Sequence, residues 1–284
     1  MTKIDQFESV FKAATRTLYK HDTPSIKKVM LLTDLKDEYE NKMFVQQIHE
    51  FLDVLGKDTE WINITGEDYR TIEALLEAVE THRPDLICTY RHVYSDGWKW
   101  NFTLGEHLMV LTQTTPTPIL VLPRPDKEAP EHALKNTDRV MAITDHLTGD
   151  DHLIHYAVHF TQNDGKLFLT HIEDEGVFER YMQTTEKIPE IDSTTARQTI
   201  KHQLLKEPHD YITSCRSVLQ EQQLPIQLEE IITMGNQLER YKALIDKHEI
   251  DLLVLNTKDD DQLAMHGLAY PLAVELRDIP LLML

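Results

Sequence analysis

Short apolar runs rich in Val, Ile and Leu alternate along this chain with stretches whose apolar residues recur every three or four positions. That alternation predicts βα units around a parallel sheet. In the C-terminal part, strands are expected at 139–144, 166–171, 227–234, 251–255 and 280–284. Helices are expected there at 151–160, 194–222, 237–248 and 267–275. In the N-terminal part, strands are expected at 28–33, 60–64, 86–89 and 119–122, and helices at 40–55, 69–82 and 105–112. Residues 1–27 read as a helical leader. Residues 125–138, rich in Pro and charge, read as a linker between units at 28–124 and 139–284.

The two units share a pattern. VMLLTD at 29–34 returns as VMAITD at 140–145, each a short apolar run closed by Thr-Asp. Gly66 is followed after seven residues by Ala74 and Leu75, as Gly235 is by Ala243 and Leu244. PDLIC at 84–88 answers IDLLV at 250–254, and thirteen steps separate Gly105 from Pro118 and Gly267 from Pro280. Four matches in one order identify a duplicated domain. From Asp34 to Gly66 is 32 residues, whereas from Asp145 to Gly235 is 90, so the first copy lacks about one strand and its helices.

An apolar strand ending in Asp, a later Asp-Leu-Ile or Asp-Leu-Leu strand, a Gly-opened helix and a final Pro-Ile-Leu-Val or Pro-Leu-Leu-Met strand resemble the universal stress protein domain. The resemblance covers most of 26–124 and 138–284 and implies a tandem member. It implies two doubly wound α/β domains with parallel sheets, the first lacking about one βα unit. It also implies pairing of the two last strands as an intrachain pseudo-dimer, and ATP at the carboxyl ends of the strands. Open α/β sheets generally hold ligands at that position.

The implied nucleotide motif is degenerate in both copies. In the second, Asn256 and Asp259 stand where its first two glycines belong. Only the last glycine survives, as Gly267, and Leu268 follows it in place of Ser or Thr. Asp259, Asp260 and Asp261 would face the phosphates and repel them unless a cation bridges. In the first copy the glycines become Tyr90 and Val93, and Glu106 follows Gly105. Asp34 and Asp145 match the family's Asp after the first strand. No cofactor is expected on this reading. ATP at the second copy is the alternative.

Charge narrows the partners. The chain has 284 residues and a formal net charge of −19, so nucleic acid and anionic membranes are poor partners. Its longest apolar runs, such as 119–122 and 279–284, fall far short of a bilayer span, and residues 1–20 lack the apolar stretch of a signal peptide. A cytoplasmic protein without a disulfide framework is expected from its two cysteines, Cys88 and Cys215. A homodimer or a protein partner fits a module of this kind.

Four constellations remain. Asp145, His171, Asn256 and Gly267 fall at one end of the second copy's sheet and form the candidate ligand site. His146, His171 and His266 share that end and are weak metal candidates, because no HxH, HExxH or CxxC spacing supports them. His152, His155 and His159 lie on one helix face, opposite Leu153, Ala157 and Phe160, and are expected to face solvent. Residues 90–102 carry Tyr90, Tyr94, Trp98, Trp100 and Phe102, expected to fill the space of the missing unit, with a ligand lid or partner surface as the alternative. No GxSxG elbow, P-loop or activated cysteine is present, so catalysis is not indicated. The expectation is a stress-associated binding or signalling module; a small-molecule or metal sensor is a further alternative.

Overall fold

A computed structural model describes residues 18–66, 68–95, 97, 102–125, 134–144, 147–257, 265 and 267–284. The expectations resting on residues 1–17, Trp98, Trp100, Asp145, His146, Asp259, Asp260, Asp261 and His266 lie outside them. The first half contributes β1 (Lys28–Leu32), α1 (Glu38–Phe51), β2 (Glu60–Ile64), α2 (Ile72–His82), β3 (Leu86–Tyr90), α3 (Glu106–Thr114) and β4 (Ile119–Leu122). The second contributes β5 (Arg139–Ile143), α4 (Asp151–Phe160), β6 (Lys166–Asp174), α5 (Glu175–Thr185), α6 (Ser193–Glu221), β7 (Gln227–Gly235), α7 (Gln237–His248), β8 (Leu252–Leu255), α8 (Ala269–Glu275) and β9 (Leu281–Met283). The chain is mixed α/β, as its sequence pattern predicts.

The described strands form one nine-stranded sheet in the order β2-β1-β3-β4-β9-β8-β5-β6-β7. Every adjacent pair is parallel except β4 with β9, where Leu120 lies opposite Leu282 in an antiparallel join. The strands expected to pair between the copies are therefore the two that meet. The second half runs β7-β6-β5-β8-β9, and the first runs β2-β1-β3-β4: β2, whose sequence matches that of β7, takes the place of β6, and among the described residues no strand of the first half takes the outer place of β7.

Burial follows from this order. β3, β4, β8 and β9 are wholly buried, as are all but the first residues of β1 and β5. These strands read as continuous apolar runs because helices cover both faces of a parallel sheet. The outer strands β2 and β7 are mostly half-buried, with exposed residues at Glu60, Asn63, Gln227 and Glu229 and a single buried residue at the end of each. Helices α1, α2, α4, α5 and α7 start where a short polar side chain caps them: Asp37 accepts from the Glu40 N–H, Thr71 from Ala74, Asp150 from Leu153, Asp174 from Val177 and Asn236 from Glu239.

Four features depart from the sequence reading. Residues 18–27 contain no helix. Tyr19 and Ile26 are buried, and the segment is tied down by partners far along the chain. The helix expected over 40–55 ends at Phe51 and gives way to a 3₁₀ turn, Asp53–Leu55, closed by Gly56 at φ +82°. Helix α5 was not foreseen, and α8 begins two residues after Gly267.

Candidate functional site

In each half the chain leaves the central strand for one side and its neighbour for the other, so the carboxyl ends of β1/β3 and β5/β8 frame a crevice. The two crevices are built differently.

In the first half, Asp34 follows β1 and is fully engaged by its own chain. The Tyr90 hydroxyl donates to Asp34 Oδ1 and accepts from the Asp34 N–H at 2.9 Å. Burial, with the Asp34 charge beside it, pushes the Tyr90 hydroxyl well above its ordinary pKa, so it remains a donor to the carboxylate. The Tyr94 N–H donates to Asp34 Oδ2 at 2.8 Å, and Arg124 Nη2 lies 3.7 Å from the same oxygen. The Arg124 guanidinium sits over the Tyr90 ring, 5.1 Å from its centroid, and Nη1 donates to the carbonyls of Arg91 and His92.

Two further contacts close the space. Tyr94, Tyr69 and His107 cluster, with the Tyr94 centroid 5.2 Å from each of the other two. A Cβ on Gly105 (φ +88°) would lie 2.8 Å from both the backbone N and the Cα of His92, so the loop lies directly on the glycine that opens α3. The His92 N–H donates to the Leu104 carbonyl at 3.0 Å. His92 and Tyr94 both hold φ +59°, a region costing non-glycine residues about 1 kcal/mol or more. The surrounding contacts hold them there. Of the aromatic insert, Tyr90 is buried and Tyr94 half-buried, whereas Phe102 is 75% exposed.

In the second half the register aligns the site residues. Ile143 pairs with Thr170 on β6 and with Leu255 on β8. Continuing that register one step past the paired residues brings Thr144 level with His171 and Asn256. Asp150, the cap of α4, closes over this row. Its Oδ2 accepts from Asn256 Nδ2 at 2.5 Å, and Thr144 bonds the same carboxylate. Burial raises the Asp150 pKa, while the Leu153 N–H, Asn256, His152 and Thr144 oppose the rise.

His171 is 5% exposed. Its Nε2 is 3.3 Å from Glu173 Oε2, and its Nδ1 has no hydrogen-bond partner among the described residues. Among those residues no group of three His, Cys, Asp or Glu is arranged to hold a metal. Gly267 adopts φ +55° ahead of α8. That helix has only seven residues and no side-chain cap at its start.

The structure thus places His171 and Asn256 in one row and adds Thr144 and Asp150, which the sequence reading missed. Asp150 carries a readable signal, a helix-capping Asp ahead of an apolar-periodic stretch. The corresponding row in the first half holds Thr33, bonded to Asn41 at 2.7 Å, and Tyr90 in place of Asn256.

The histidine face of α4 differs from expectation. His152 is exposed, but His155 and His159 are half-buried. His155 Nε2 donates to the Lys20 carbonyl at 2.6 Å, and its ring lies 5.6 Å from Tyr19 and 5.9 Å from His21. The segment preceding β1 crosses onto the second half and covers this face, which a helical-wheel argument cannot anticipate.

No protein-family model and no curated protein matches the chain. Solved structures of similar fold do. A Pseudomonas aeruginosa protein described as a universal stress protein is 9% identical, with 92% of this chain and 94% of that chain covered and a TM-score of 0.48. A universal stress protein from Archaeoglobus fulgidus is 11% identical, over 91% of this chain and 86% of that chain, with a TM-score of 0.47. A functionally unknown Pseudomonas aeruginosa protein is 9% identical over 92% and 93%, again with a TM-score of 0.47. The likeness is one of fold. Among the described residues no helix is long and apolar enough to cross a membrane.

Proposed function

We propose that this chain is a tandem universal stress protein acting in the cytoplasm as a non-catalytic, stress-associated binding or signalling module. Its first half has exchanged the nucleotide site for internal contacts, and any small ligand binds at the strand ends of the second. The observation that carries this reading is the Asp34 carboxylate, which is occupied by Tyr90, the Tyr94 N–H and Arg124. A nucleotide there would have to displace a buried tyrosine and a strained loop packed onto Gly105. In the second half Asn256 is held by Asp150, and the sequence around Asp259 adds negative charge.

Isothermal titration with Mg-ATP tests the reading. No saturable heat is expected at tens of micromolar. Micromolar binding lost in Asp145→Ala would favour the ATP-binding alternative in the second half. That alternative draws support from one feature: where the first half has the buried Tyr90, the second has Asn256, a smaller side chain.

A further inference from the structure

The closed first half reaches into the walls of the second half's crevice. Arg91, 5% exposed, sends its guanidinium across the β4–β9 join. Its Nε donates to the Ala273 carbonyl at 2.7 Å and its Nη2 to the Leu276 carbonyl at 2.6 Å. These carbonyls end α8, where a helix has no internal partners to offer. The Tyr270 hydroxyl of the same helix donates to the Phe102 carbonyl at 3.2 Å. A seven-residue helix without a side-chain cap does not hold itself in place. Burying a guanidinium is costly even with two carbonyls and the Asp278 charge near it, and an apolar side chain would serve packing as well.

The opposite wall is held in the same way. The Lys20 N–H donates to Asp151 Oδ2 at 3.2 Å, and the Tyr211 hydroxyl donates to Asp151 Oδ1. The Tyr19 N–H donates to Ser214 Oγ at 3.2 Å, which fixes the segment against α6. Asp151 is the first residue of α4 and adjoins Asp150, the group that bonds Asn256 and Thr144.

We propose that the first half positions the second half's site, with Arg91 as positioning residue for the α8 wall and residues 19–21 holding the α4 wall. The inference rests on reading the second half as the ligand-bearing one. Its test needs no ligand, so a failure of ligand binding and a failure of the clamp are separate results.

The test compares full-length wild type with Arg91→Met, Arg91→Lys and Tyr19→Ala. Hydrogen exchange is read by segment, and the Asn256 side-chain amide is followed in asparagine-labelled protein. Arg91→Met is expected to speed exchange at 268–276 at least tenfold while β5 and β6 keep wild-type rates, and Arg91→Lys to fall between. Tyr19→Ala is expected to shift the Asn256 amide resonance. Wild-type exchange across 268–276 in Arg91→Met, or an equal increase there and in β5, would overturn the α8 clamp. An unmoved Asn256 resonance in Tyr19→Ala would overturn the α4 one. Should Arg91→Met fail to fold, Arg91→Lys alone decides: severalfold faster exchange confined to 268–276 supports the proposal, and wild-type rates refute it.

Discussion

Two side chains at matching positions, Tyr90 and Asn256, give the halves their different character. Tyr90 fills its row and donates to Asp34, so Tyr90→Phe leaves a nearly buried carboxylate short of one donor. Its expected cost is about 1–3 kcal/mol in urea unfolding. Asn256 instead leaves a polar row whose nearest neighbour is Asp150. Because burial raises the Asp150 pKa, its ionised form opposes folding, and that penalty is present above the raised pKa and fades as pH falls through it. Asp150→Asn keeps a capping oxygen and removes the charge, and should leave stability equal or higher at pH 7 by no more than about 1 kcal/mol. The difference should disappear as the melting experiment is moved down into the ordinary carboxylate range. At this scale the sequence revealed Asn256 and His171, because strand ends can be read from where apolar runs stop. Thr144 escaped because its role depends on which strands are neighbours, whereas Asp150 is legible as a helix cap but not as the partner of Asn256.

Strands and most helices were legible because a sheet covered on both faces demands uninterrupted apolar runs, and because helix periodicity persists over ten or more residues. Helix α5 was missed for the converse reason. Its buried residues are only Phe178 and Met182, too few to stand out from polar surroundings. The segment at 18–27 was read as helical, but its structure is dictated by the surface beneath it. Its His21 faces Tyr19, Asp22 and His155, with Lys20, Asp151 and Tyr211 packed around them. Burial, then the neighbouring His155, lowers the His21 pKa, with Asp22 opposing. A histidine with a lowered pKa favours the docked state while it is neutral, above its ordinary value near ~6.5, and weakens it as pH falls below that value. Exchange at residues 19–22, corrected for intrinsic rates, should therefore rise between pH 7.5 and pH 5.5 while that of β5 does not.

Across the whole molecule, the antiparallel β4–β9 join makes a single sheet of two parallel halves. Because β9 lies between β4 and β8, removing Leu281–Leu284 would strip one partner from each of two wholly buried strands. Such a truncated chain should aggregate or lose its cooperative melting transition, since two unpaired apolar edges would face each other across a gap. Full retention of the melting temperature would contradict the join. The missing βα unit of the first half could be read from chain length alone. The reach of the first half into the second could not, because Arg91 and Lys20 contact residues more than 100 positions away.

The central claim is that the first crevice is filled by its own chain and that any ligand binds at the second. Asn41, bonded to Thr33, reports on the first and Asn256, bonded to Asp150, on the second. Asparagine-labelled protein therefore reports both sites in one spectrum. Titrating a panel of nucleotides and small metabolites to millimolar concentration, the account predicts that any binder moves the Asn256 side-chain amide and leaves Asn41 in place. A ligand that moves Asn41 and leaves Asn256 unchanged would contradict it.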